Sequence, residues 1–166
     1  MTNNIGTSDN RPQAQPATRR HLGMWLLIAA LVFQGVNGLG GGIMLLADTD
    51  GGLMGWDTTT LEGTPVDTYL IPGLLLVIPL GLIPLLVAWA LLRRPRYQWT
   101  AWIEKATRAE PAWTGALAVG FGVVLWIVIE YLLIDYQWLQ AVFGLVGVAI
   151  IALAFLPSVR HHYAVR

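Results

Sequence analysis

The stretch that decides the fold is residues 113–140, WTGALAVGFGVVLWIVIEYLLIDYQWLQ. It opens with an apolar run long enough to cross a bilayer, since a spanning helix needs about 20 mostly apolar residues. One carboxylic acid, Glu130, interrupts that run, and a short polar turn follows at Asp135. A second apolar run starts at Trp138. The stretch therefore predicts two antiparallel membrane helices joined by a tight turn.

The same length criterion predicts four spans in the whole chain, at about residues 24–47, 65–92, 112–134 and 138–156. Of the 166 residues, 55% are hydrophobic and only 12% are charged, about half the charged fraction of a soluble domain. We therefore expect an all-α, up-down bundle of four membrane-spanning helices, with an outer loop between the first two. The predicted domains are a disordered cytoplasmic tail (1–20), the transmembrane domain (21–157) and a second cytoplasmic tail (158–166).

The basic residues predict the orientation of this bundle. Every Lys and Arg falls in the N-terminal tail, in the second connection or in the C-terminal tail, which a four-span topology places on one side. The first and third connections hold Asp and Glu but no Lys or Arg. The positive-inside rule then puts both termini in the cytoplasm.

The first span carries polar and small residues that favour contacts between helices. Gln34 and Asn37 are three residues apart and share a helix face. Because lipid offers no hydrogen-bond partner, both are expected to point into the bundle. Gly38, Gly41 and Gly42 lower helix propensity but let a neighbouring backbone approach closely. Packing is the plain interpretation of these glycines, and a kink or an unwound ligand site is the alternative.

The second span is expected to be irregular because it contains several prolines. Thr64 and Pro65 suit the cap and the first position of a helix, so the helix is predicted to begin near Pro65. Pro72, Pro79 and Pro84 each remove a backbone donor and strain the preceding turn. Kinks are therefore expected in this span, with the most consequential at Pro72.

Glu130 is the centre of the predicted functional site. Glu130 and Gln140 lie five residues on either side of Asp135, so both are about 7 Å below the outer turn. A charged side chain in hydrocarbon is costly and is by default a functional candidate. The predicted ligand or proton pocket, open to the outside, comprises Glu130, Gln140, Asn37, Gln34, Tyr131 and Asp135. Structural hydrogen bonding, handling of a ligand or ion, and catalysis are all roles left open for Glu130.

Several kinds of chemistry lack the residues they need. The chain has no cysteine, which excludes disulfides, thiolate metal sites and thiol catalysis. His21, His161 and His162 lie at the ends of the predicted spans, so haem or zinc ligation across the bundle lacks residues at the right depth. No catalytic residue, cofactor or metal is predicted. Topology already explains the basic connection, so no nucleic-acid partner is predicted either.

Two motifs carry a resemblance to a known group of proteins. They are TPxxxYLIPG at residues 64–73 and WLQ at residues 138–140. With them, residues 22–156 resemble a family of uncharacterised bacterial integral membrane proteins with four transmembrane helices. The resemblance implies a multi-pass protein of the bacterial plasma (inner) membrane and no established activity. In that group Gln or Glu is expected at the position of Glu130.

The leading interpretation is a non-enzymatic accessory or self-assembling membrane component. Its expected partners are membrane lipids and either a second copy of the chain, as a homo-oligomer, or another membrane protein. The alternative is binding or transport of a small ligand, lipid or proton through an outward-facing polar pocket at Glu130. Internal duplication would favour a transporter, and no convincing repeat relates the two halves.

Overall fold

A computed structural model gives the fold of the chain and describes residues 17–93, 105, 110–134 and 136–163, with side chains from Leu22 onward. Helices make up most of this part: α1 (Ala17–Ala47), α2 (Leu70–Arg93), α3 (Pro111–Leu133), α4 (Trp138–Phe155) and α5 (Pro157–Tyr163). No β-strand occurs among the described residues. The all-α fold class expected from the sequence is confirmed.

Among the described residues, four helices are long and apolar enough to span a membrane: α2, α3, α4 and residues Leu22–Ala47 of α1. Only 22–39% of the residues in their most apolar windows are buried in the protein, so most of each helix surface faces outward. Large apolar side chains such as Leu132 and Leu145 are 76% and 70% exposed there. Such a surface is suited to lipid, whose tails are as apolar as Leu.

The bundle has two distinct ends. The α1–α2 connection, residues 48–69, and the turn between α3 and α4 lie at one end, which we call the loop side. The opposite end, the terminal side, holds the start of α1, the end of α2, the start of α3 and all of α5. Residues 17–20 are helical and continue α1 beyond its apolar core, so they are not part of a disordered tail.

Glycine backbones bring α1 and α2 into close contact. A Cβ atom at Gly38 would overlap the carbonyl group of Leu80, and one at Gly42 would lie 2.8 Å from the carbonyl oxygen of Gly73. Only hydrogen fits at these positions, so the two backbones touch directly. Gly41 differs, because a Cβ there would meet the side chain of Leu76 at an ordinary 3.5 Å.

The irregularity in α2 lies at Pro79 and not at Pro72. Residues Ile78–Leu82 form a π-helical segment, in which the N–H of Ile83 donates to the carbonyl of Ile78, five residues earlier. Pro72 lies in the first turn of α2, where backbone N–H groups have no partner in the helix. The missing N–H of Pro72 therefore removes no hydrogen bond from the helix. This explains why the kink expected there does not form.

α2 begins at Leu70, five residues after the start expected near Pro65. The hydroxyl oxygen of Thr64 does accept the N–H of Val66, at 3.4 Å, but a turn and not a helix follows. Tyr69 fixes the chain just before the helix, because its N–H donates to the carbonyl of Thr49 at 2.8 Å. Residues 64–69 therefore belong to the connection.

The α1–α2 connection is an ordered cap on the loop side. Its Tyr69 is buried and donates its hydroxyl to the carbonyl of Asp57 at 3.0 Å. Leu45 and Leu61 pack with Tyr69 in a small second core. Gly51 allows this packing, since its φ of 89° favours glycine and a Cβ there would lie 2.7 Å from the Tyr69 ring. The connection thus docks on the ends of α1 and α2.

α3 and α4 form the antiparallel pair expected from the sequence. They cross where Gly120 faces Gly147, and a Cβ at either would lie 3.2 Å from the carbonyl oxygen of the other. α2 joins this pair through Val87, whose side chain would lie 3.1 Å from a Cβ at Gly115. Small residues therefore set the spacing at each of these contacts.

The chain stays in the bundle after α4. Helix α4 gives way at Leu156 to α5, which packs against the bundle so that Val159 and Tyr163 are fully buried. The Tyr163 hydroxyl donates to the carbonyl of Leu91 at 3.2 Å, and its own carbonyl accepts the N–H of Glu110 at 2.9 Å. Residues 158–163 are therefore a packed helix and not the expected tail.

We expect Gly38→Ala to destabilise the bundle and Gly41→Ala to leave it unchanged or slightly more stable. The added methyl group at residue 38 would meet the backbone of α2, and overpacking of this kind costs about 1–3 kcal/mol. The methyl group at residue 41 has room and favours the helix. Thermal unfolding of both variants in the same detergent measures the difference. Equal melting temperatures for the two variants would contradict the close α1–α2 contact.

Candidate functional site

Glu130 lies on α3, one turn before the helix ends at Leu133, and its side chain is partly buried. The indole N–H of Trp126, four residues earlier, donates a hydrogen bond to its carboxyl group. Trp126 packs in turn against the main hydrophobic core. The carboxyl group is therefore held by its own helix at the loop-side edge of the core.

Gln140 is buried at the start of α4, with 4% of its surface exposed. Its side-chain oxygen accepts the N–H of Gln137 at 3.2 Å, while the Gln137 side chain accepts the N–H of Gln140. This reciprocal capping box satisfies two donors at the helix start. The side-chain nitrogen of Gln140 has no hydrogen-bond partner within the described residues.

Glu130 and Gln140 lie at the same level of the bundle. The level follows from Ile127, whose side chain would lie 3.6 Å from a Cβ at Gly144. One turn further toward the loop side brings α3 to Glu130 and α4 to Gln140. A partly buried carboxyl group and an unpartnered amide donor thus occupy facing turns of adjacent helices.

Gln34 lies deep in the bundle and interacts with α2. Its amide nitrogen donates to the carbonyl of Leu80 at 3.4 Å, and its surface is only 4% exposed. Leu80 lies four residues before Pro84, which has no N–H to bond that carbonyl. Gln34 therefore supplies a donor from α1 in place of the N–H that residue 84 lacks. Its side-chain oxygen has no partner among the described residues.

Asn37 points outward, so the expectation that it faces the bundle interior with Gln34 is wrong. Its amide nitrogen donates to the carbonyl of Phe33 in its own helix at 2.8 Å, and its side chain is exposed. Residues three apart diverge by about 60° around a helix. Because the face that includes Gly38 must lie against α2, Gln34 falls inside the edge of the buried face and Asn37 outside it.

The five described residues of the expected pocket are not gathered in one place. Glu130 and Gln140 lie at the same level of α3 and α4, whereas Gln34 is bonded to α2. Tyr131 is 63% exposed and, like Asn37, points away from the core. Asp135 lies outside the described residues. The arrangement offers a small polar site of two side chains at most in this part of the chain.

Two aromatic side chains that the sequence did not single out tie the terminal side together. The indole N–H of Trp113 donates to the carbonyl of Ala154 at 2.9 Å, joining α3 to α4. Tyr163 joins α5 to α2 through Leu91. A buried indole or phenol needs a hydrogen-bond partner. The position of Trp113 and Tyr163 at the ends of apolar stretches could therefore have indicated that they bond to neighbouring helices.

Comparison with protein-family models, with curated proteins and with solved structures finds no match for this chain. The resemblance carried by the TPxxxYLIPG and WLQ motifs therefore stays a prediction. The fold and the lengths of its helices define an all-α, multi-pass membrane protein.

We expect Glu130→Leu and Trp126→Phe each to lower the free energy of unfolding by about 1 kcal/mol, because each removes one partner of the same hydrogen bond. The double variant should lose less than the sum of the two, since the bond is lost only once. Unfolding of all four proteins in mixed micelles measures this coupling. Fully additive losses would show that the two side chains act independently.

Proposed function

We propose that this chain is a non-enzymatic accessory or self-assembling component of a bacterial plasma membrane, with both termini in the cytoplasm. The observation that carries the proposal is that buried polar side chains donate their hydrogen bonds to other helices of the same chain. Gln34, Trp113 and Tyr163 each donate to a carbonyl of another helix. Polar groups used in this way hold the helices together, which leaves the lipid-facing surface for interactions with other molecules.

The distribution of charge supports the proposed orientation. Arg93 and Arg160 are exposed at the terminal side, while Asp50, Asp57 and Glu62 are exposed at the loop side. Basic residues are retained in the cytoplasm during insertion. The terminal side is accordingly the cytoplasmic one in this proposal.

Single-cysteine variants test the orientation, since the chain has no cysteine of its own. Asp50→Cys and His161→Cys place thiols at exposed positions on the loop side and the terminal side. A membrane-impermeant maleimide added to intact cells should label only the residue 50 variant, and permeabilised cells should label both. Labelling of the residue 161 variant in intact cells would overturn the orientation.

A second candidate function is the binding or transport of a small ligand, lipid or proton near Glu130. The specific observation in its favour is the side-chain nitrogen of Gln140, which is buried at the level of Glu130 and has no hydrogen-bond partner among the described residues. A buried donor without a partner costs about 1–3 kcal/mol, so a bound molecule that accepts its hydrogen bond would be stabilised there.

Native mass spectrometry after gentle extraction distinguishes the two functions. Under the leading proposal, the wild-type protein is recovered with another protein or with a second copy, and Glu130→Leu leaves that complex unchanged. Glu130→Gln is the matched control, because it retains an acceptor for Trp126. A stoichiometric small molecule that is lost only in Glu130→Leu, from a protein with no partner chain, would instead support the second function.

A further inference from the structure

Asn37 is a polar side chain that faces outward near the middle of a spanning helix. It lies about 4 Å along the axis from the midpoint of the Leu22–Ala47 span, and it is exposed. Polar side chains within membrane helices almost always face the bundle interior, because lipid cannot satisfy them. An exposed amide at this depth therefore calls for a partner outside the chain.

The hydrogen-bonding groups left on Asn37 indicate what kind of partner fits. One N–H of its amide donates to the carbonyl of Phe33, and the described residues show no other bond to this side chain. One N–H and the oxygen remain. An amide with one donor and one acceptor can pair reciprocally with an identical amide.

The surface around Asn37 has the shape of a helix seam. Exposed positions recur at intervals of three or four residues along α1: Leu26, Ala29, Phe33, Asn37, Gly40 and Met44, of which Phe33 also packs against Phe143 of α4 with 6.4 Å between ring centroids. This spacing keeps one face directed at a parallel neighbouring helix. Gly40 opens the surface beside Asn37, since a Cβ there would have nothing within 4 Å. A neighbouring backbone can approach closely at such a position.

We propose that this α1 face binds the same face of a second copy of the chain. The inference rests on the proposed self-assembly and specifies its surface. Copies inserted in the same orientation have parallel α1 helices, and a two-fold axis along the membrane normal brings each residue opposite its own counterpart. Asn37 then pairs with Asn37 of the partner subunit. The face carries no charged residue, so nothing on it selects a partner of opposite charge.

Cross-linking in native membranes tests the geometry. Gly40→Cys should form disulfide-linked dimers on mild oxidation, because the axis would bring the two thiols together. Gly122→Cys is the matched control: it is also a glycine whose Cβ would have open space, but it lies on α3. Cross-linking at residue 40 and not at residue 122 is the expected result.

Dimer affinity tests the chemistry. Energy transfer between labelled copies in phosphatidylcholine vesicles, at increasing lipid dilution, gives the dissociation constant. Loss of an interhelical hydrogen bond weakens association between about threefold and thirtyfold, so Asn37→Leu should raise the constant by that range. Gly40→Leu should raise it further by blocking close approach, whereas Gly122→Leu should leave it unchanged.

The outcomes separate this inference from the function on which it rests. A wild-type chain that stays monomeric in vesicles and does not cross-link overturns both the interface and the self-assembly. A wild-type dimer that Asn37→Leu and Gly40→Leu do not weaken overturns only the interface, and self-assembly then uses another surface.

Discussion

The closest approach of α1 and α2 lies at one backbone carbonyl, that of Leu80. Pro84 deprives it of its usual donor within α2, and a carbonyl left without a donor in hydrocarbon costs several kcal/mol. The side-chain amide nitrogen of Gln34, on α1, donates a hydrogen bond to this carbonyl oxygen at 3.4 Å. That bond is possible only because Gly38 lets the two backbones touch at the same place. Pro84, Gln34 and Gly38 therefore meet at one carbonyl.

The same principle recurs at the terminal side with different residues. Trp113 and Tyr163 send their polar groups to the carbonyls of Ala154 and Leu91, close to the ends of α4 and α2. The last carbonyls of a helix have no partner within that helix. The carbonyls of Ala154 and Leu91 therefore need a donor from another helix, as the carbonyl of Leu80 does. The hydrophobic effect provides no drive between helices in lipid. In this bundle, close backbone contacts and side-chain hydrogen bonds to free helix carbonyls hold the helices together.

The sequence predicted correctly those features that depend on the lengths of apolar runs and turns. It did not predict features that depend on contacts between elements far apart in the chain. Span number followed from the lengths of apolar runs, and the antiparallel α3–α4 pair followed from the short turn near Asp135. The start of α2 did not follow, because the docking of Tyr69 on Thr49 is a contact between residues far apart in the chain. The outward position of Asn37 was missed for a similar reason. A shared helix face spans about 60° between residues 34 and 37, and only the contact with α2 shows where its boundary falls.

The contrast between Gln34 and Asn37 has a consequence for the role of α1. Both are amides near the middle of the same span, but only Gln34 bonds to another helix. Asn37 donates to the carbonyl of Phe33, which a continuous helix already satisfies through its own backbone. Folding of a single chain therefore gains little from an amide at this position, and a leucine would suit lipid better. A polar residue that the fold does not need and that lipid does not favour is best explained by contacts beyond the chain. One face of α1 then builds the bundle, and the neighbouring face that includes Asn37 would build the proposed assembly.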